Sequence, residues 1–131
     1  MTRYLRALVP LLTVVIGFLA CSNGSPTAAS TASGFVSSVD GTRLRYTINW
    51  PDGNGPFPAV VLVHGSGRVT RADQQFLSDQ FTSRGWAVLN YDKRGVGESD
   101  GVYAGVGPLN SDSLIPLLAS DAAAALRLLG G

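Results

Sequence analysis

Three observations predict an α/β fold in which an antiparallel β-hairpin precedes parallel βαβα units. Asp40-Gly41 separates two strand-like runs, 34–39 and 43–50, and an Asp-Gly so placed is a strong hairpin signal. Residues 59–63 form a β-branched apolar run without alternation, the pattern of a parallel strand covered on both faces. Beyond it, helical spacing, a second apolar strand and an alanine-rich segment follow in turn, and such alternation builds a parallel sheet with right-handed crossovers. No internal repeat is visible.

Each element carries its own signals. Alternation across Leu44, Tyr46 and Ile48 marks a half-buried strand, and the turn-rich stretch 51–58, with three prolines and two glycines, connects it to the next. Thr70-Arg71-Ala72-Asp73 fits a capping box that opens a helix, whose apolar positions are Ala72, Phe76, Leu77 and Phe81. Gly85 is placed to end that helix in a left-handed conformation. Residues 86–91 make the next strand. The last segment, from about Ser111 to Leu129, reads as a helix, with Pro116 tolerable only near its start.

The first thirty or so residues stand apart from this domain. Arg3 and Arg6 precede an apolar stretch at 7–20, of secretory length but short for a membrane span of about 17–25 residues. Phe18-Leu19-Ala20-Cys21 resembles the lipobox of bacterial lipoproteins, with Phe18 where Leu is usual. The resemblance implies a signal peptide at 1–20, lipid on Cys21 and an envelope protein facing away from the cytoplasm. Ordinary secretion, or an uncleaved anchor with Cys21 a bystander, is the other reading. Residues 22–33 are small and polar, so 21–33 reads as a flexible tether and 34–131 as the folded portion. Cys21 is the only cysteine, which excludes a disulfide within the chain.

Composition excludes several function classes. Ten basic and nine acidic residues give +1, and without Arg3 and Arg6 the remainder carries −1, so nucleic acid has no electrostatic footprint here. One His, one Cys and scattered carboxylates give no metal-ligand spacing, and no cofactor is implied. Asp52, Asp73, Asp79, Asp112 and Asp121 read as solvated turn or cap residues.

The chemistry concentrates in two motifs. His64-Gly65-Ser66-Gly67 follows the 59–63 strand, at whose carboxyl end open α/β sheets place ligands. Asp92-Lys93-Arg94-Gly95-Val96-Gly97-Glu98-Ser99 follows the 86–91 strand. Together they resemble the front half of an α/β-hydrolase, near its dienelactone-hydrolase, serine-aminopeptidase and acyl-esterase branches. The resemblance implies hydrolysis of esters, thioesters or amides by Ser-His-Asp chemistry on a small-molecule or peptide acyl substrate. The Ser66 backbone N–H would serve an oxyanion hole, Gly65 and Gly67 would shape that loop, and Asp92, Arg94 and Ser99 would brace the loop beside it.

In that family the nucleophile elbow comes on a later strand and the catalytic His later still. The reading is therefore a fold truncated before the nucleophile strand, lacking the triad, inactive alone and left with an apolar sheet edge. His64, the only histidine, then shapes the oxyanion loop rather than acting as base. Gly97-Glu98-Ser99-Asp100-Gly101 matches Gly-x-Ser-x-Gly literally, but Ser99 lies eight residues beyond Tyr91 with no helix after it, so it reads as a decoy. The same residues admit two other readings: a non-catalytic envelope lipoprotein module, and a Rossmann-like nucleotide binder. Against the second, Thr70 stands where the third glycine of its fingerprint would be, and a hairpin before the first βα unit is unusual there.

Overall fold

The computed structural model describes residues 28–130. The proposed signal peptide and Cys21 lie outside the described residues. Strands β1 (Ser30–Ser37), β2 (Arg43–Trp50), β3 (Ala59–Leu62) and β4 (Ala87–Tyr91) form one sheet in the order β1-β2-β4-β3. Helix α1 (Gln75–Thr82), entered through a 3-10 turn at Ala72–Gln74, crosses from β3 to β4, and α2 (Ser111–Gly130) ends the described chain. β1 and β2 are antiparallel, β2 and β4 antiparallel, and β3 and β4 parallel.

The hairpin forms where Asp40-Gly41 predicts it, Gly41 taking φ +84° and donating its N–H to the Ser38 carbonyl at 3.0 Å. Its first strand begins at Ser30 rather than Gly34, because residues 30–33 continue the ladder against Thr47–Trp50. The tether expected over 21–33 is shortened accordingly.

The two strand periodicities sort the core. Leu44 and Ile48 of β2, and Leu89 and Tyr91 of β4, face α2 and pack with Ala125, with Val61 and Leu129 alongside. α2 has the length and composition of a membrane span, and Leu114, Asp121, Ala124 and Ala125 form one buried stripe at helical spacing along it.

On the opposite face, α1 packs on β4 and β2. The expected apolar face of α1 is not the buried one. Phe76 is 76% exposed and Leu77 44%, whereas Ser78 is buried and its hydroxyl accepts from Asn49 Nδ2 at 2.7 Å. The 3-10 turn advances at three residues per turn and resets the helical phase, and the sheet presents polar Asn49 there, which the serine satisfies, while neighbouring Asn90 donates to the Arg71 carbonyl.

The fully covered strand is also not the one expected. β4 is buried at every residue, while β3 is an edge strand among the described residues, with Ala59 exposed. An apolar run without alternation fits either position.

Candidate active site

The β3 and β4 strands run parallel, so their carboxyl ends lie side by side and each feeds one motif loop. His64 leaves β3 and its Nε2 meets the Tyr91 carbonyl at the end of β4. Because a carbonyl only accepts, Nε2 carries the proton and Nδ1 is left as a buried acceptor without a partner among the described residues. Burial holds the imidazole pKa below its ordinary value, with the Tyr91 carbonyl opposing. This histidine fastens the two strand ends together, the posture of a structural pin.

Gly65, Ser66 and Gly67 come next and are exposed. Neither glycine is held at positive φ, and a Cβ at Gly65 would meet nothing within 4 Å. Glycine is thus not demanded there by backbone strain or by packing within the described residues; it leaves the space above the loop open. The Gly65 carbonyl accepts from Lys93 Nζ at 2.6 Å, the Gly67 carbonyl accepts from the same ammonium, and the Ser66 carbonyl accepts from the Tyr103 hydroxyl at 2.7 Å. Lys93 is only 6% exposed, and desolvation holds its pKa below that of a free lysine.

The second motif folds as a loop that braces itself. Asp92, 2% exposed, accepts from the N–H groups of Arg71 at 2.7 Å and Glu98 at 2.9 Å. Its carboxylate thereby anchors the far end of the 64–71 segment to the loop after β4. Gly97 sits at φ +57°, where a Cβ would come within 2.4 Å of Asp92 Oδ2, and Gly95 at φ +67°, where it would meet the Tyr103 nitrogen at 1.9 Å. Both positions require glycine.

Ser99 lies in this loop, its hydroxyl donating to the Asp92 carbonyl at 2.6 Å and accepting from the Arg45 N–H at 2.9 Å. No strand leads into it and no helix leaves it. Arg94 is buried against Asp121 of α2 and also reaches Asp40 of the hairpin. Asp121 is therefore not a solvated residue: it is 1% exposed, because the guanidinium supplies the donors that permit a carboxylate on the core face of an apolar helix. Hydrogen bonding to Asp121 raises the Arg94 pKa above its ordinary value, and the bond from Arg94 holds the Asp40 carboxyl well below the usual carboxylate range.

The expected capping box is half formed. Thr70 gives both its N–H and its hydroxyl, each at 2.8 Å, to Asp73, and the threonine oxygen caps no helix N–H. Sequence reasoning missed Lys93 and Tyr103 altogether. Lys93 lies inside the quoted motif, but nothing in its spacing says which carbonyls it would reach.

A mixed sheet ordered β1-β2-β4-β3, with glycine loops at the carboxyl ends of its parallel pair and helices on both faces, defines an α/β-hydrolase fold. The chain belongs to the X-Pro dipeptidyl-peptidase (S15) family, whose model matches residues 40–115. It is 36% identical over 64 residues to thiohydrolase aneE of Aspergillus aculeatus, a match covering 49% of this chain and 20% of that protein. Among solved structures, a hypothetical protein of Pseudomonas aeruginosa superposes with a TM-score of 0.61 at 20% identity, over 77% of this chain and 30% of the other. An esterase of Exiguobacterium antarcticum gives 0.54 at 22% identity, over 76% and 32%. The chain thus spans about a third or less of the proteins it resembles. Its family is thus S15 and its fold that of the α/β hydrolases.

Proposed function

We propose that this chain supplies the oxyanion-binding part of a serine-hydrolase site acting on ester, thioester or amide bonds, the Ser66 N–H being the donor. The observation that carries this reading is the position of that N–H: at the carboxyl end of β3, beside the end of β4, with no partner among the described residues and open space over Gly65. A donor of this kind must stand about 2.7–3.1 Å from the developing oxygen anion, and a loop without side chains overhead lets a carbonyl approach that closely.

The attacking hydroxyl, its base and the orienting carboxylate are not assigned to any of these residues. Within the chain, Ser99 is engaged by two backbone groups and His64 by the Tyr91 carbonyl, so neither is poised for nucleophilic or base chemistry. Residues 1–20 are read as a signal peptide and Cys21 as lipidated, holding the domain at the outer side of a membrane on a tether that ends by Ser30. The test is p-nitrophenyl acetate with the purified 131-residue chain. No hydrolysis above buffer is expected, and a burst of p-nitrophenol would overturn the assignment of the nucleophile.

A further inference from the structure

The geometry points to Lys93 and Tyr103 as positioning residues that together set the directions of the Ser66, Gly67 and Arg68 amides by gripping the carbonyls of residues 65–67 from one side, Lys93 governing the Ser66 amide and Tyr103 its Gly67 neighbour. This inference rests on the oxyanion reading of Ser66 and adds to it the groups that would hold the hole in shape.

The argument is stereochemical. In a trans peptide the C=O of one residue and the N–H of the next point in opposite directions, and the only cis bond among the described residues is Gly55-Pro56. Fixing the Gly65 carbonyl on Lys93 therefore turns the Ser66 N–H away from Lys93. The Tyr103 hydroxyl does the same for the Gly67 N–H, and the second Lys93 bond for that of Arg68. None of these three amides has a hydrogen-bond partner among the described residues. Lys93 and Tyr103 stand together, the ammonium 5.4 Å from the phenol ring centroid, and the Arg68 guanidinium covers that ring at 4.8 Å.

A lysine suits this task. Its compact ammonium has three donors and can bridge two carbonyls that converge from one turn, where a planar guanidinium fork would impose its own spacing. Solvent-facing glycine peptides would otherwise rotate freely between orientations.

The test is heteronuclear NMR on the full chain, detecting carbonyl carbons and amide nitrogens. In the wild type, the Gly65 and Gly67 carbonyls are expected to move with the titration of the Lys93 side-chain carbon, while the Leu89 carbonyl in the sheet stays still. His64, Asp92 and Tyr103 are the other titratable groups against the loop, so the titration is repeated in Tyr103→Phe, which should itself displace the Ser66 carbonyl and the Gly67 nitrogen selectively. Lys93→Met should displace the Gly65 and Gly67 carbonyls and the Ser66 and Arg68 nitrogens, and Lys93→Arg should restore part of that displacement. Carbonyls indifferent to Lys93 titration, or Lys93→Met shifts no larger in the loop than in β4, would overturn the inference. Should Lys93→Met fail to fold, the wild-type titration still decides.

Methyl methylphosphonate, a stable tetrahedral anion, separates this inference from the reading beneath it. Responsive carbonyls with a Ser66 amide that ignores the phosphonate keep the clamp and remove the oxyanion role. Unresponsive carbonyls with a Ser66 amide that moves do the reverse.

Discussion

The guanidinium of Arg94 closes on the carboxylate of Asp121 through two parallel hydrogen bonds, Nε to Oδ2 at 2.7 Å and Nη2 to Oδ1 at 2.6 Å. The side chains are 8% and 1% exposed, and the same guanidinium reaches Asp40 at 2.9 Å. One arginine thus joins the hairpin turn, the loop after β4 and the core face of α2. Removing one partner of such a pair leaves a buried charge uncompensated, which costs about 3–5 kcal/mol. Asp121→Ala, in which Arg94 still keeps Asp40, is expected to lose about 3 kcal/mol, the lower end of that range, in urea unfolding followed by Trp50 and Trp86 fluorescence. Arg94→Met combined with Asp121→Leu should recover a large part of it.

The glycines divide into two kinds that stability measurements distinguish. Gly95→Ala forces a Cβ against the Tyr103 backbone at a positive φ, so soluble folded protein should be lost or unfold at markedly lower urea. Gly65→Ala meets nothing within 4 Å and no positive φ, and its effect should stay within about 0.5 kcal/mol. Equal losses at the two sites would show that the Gly65 loop is packed rather than open.

His64 gives the fold a pH dependence of definite sign. Its pKa is held below the 6.5 of the unfolded chain by burial, so below about pH 6.5 the unfolded state takes up the proton more readily. Stability from this group is present above that pH and declines as pH falls through it, down to the depressed folded value. His64→Gln should flatten the slope of unfolding free energy between pH 7 and pH 5; an unchanged slope would mean that the imidazole is not desolvated.

Ser99→Ala tests the brace against the nucleophile. It strips the Arg45 N–H and the Asp92 carbonyl of their shared partner, at a cost of about 1–3 kcal/mol in unfolding. A brace shows itself as that stability loss, with no change in reactivity toward acyl or phosphonyl probes.

Much of this architecture is legible in residue order, because short-range chemistry specifies it. Asp40-Gly41 places the hairpin, and the alternation of Leu44, Tyr46 and Ile48 gives β2 its observed bounds. What escapes is what depends on distant partners. Asp121 reads as solvated until Arg94, 27 residues earlier, is found against it, and Phe76 reads as core until the 3-10 turn rotates the helix. Lys93 escapes because its acceptors are carbonyls, which every residue carries and no pattern marks. The 59–63 run announces a buried strand without saying which neighbours cover it, and β3 proves to be an edge among the described residues.

The most direct measurement is reaction of the purified 131-residue chain with a fluorophosphonate probe, followed by mass mapping of every serine. If residues 64–67 offer amides to an oxyanion and none of these 131 residues supplies the attacking hydroxyl, no serine acquires the phosphonyl group. A stoichiometric adduct on Ser99, Ser66 or any other serine of this chain would contradict that account.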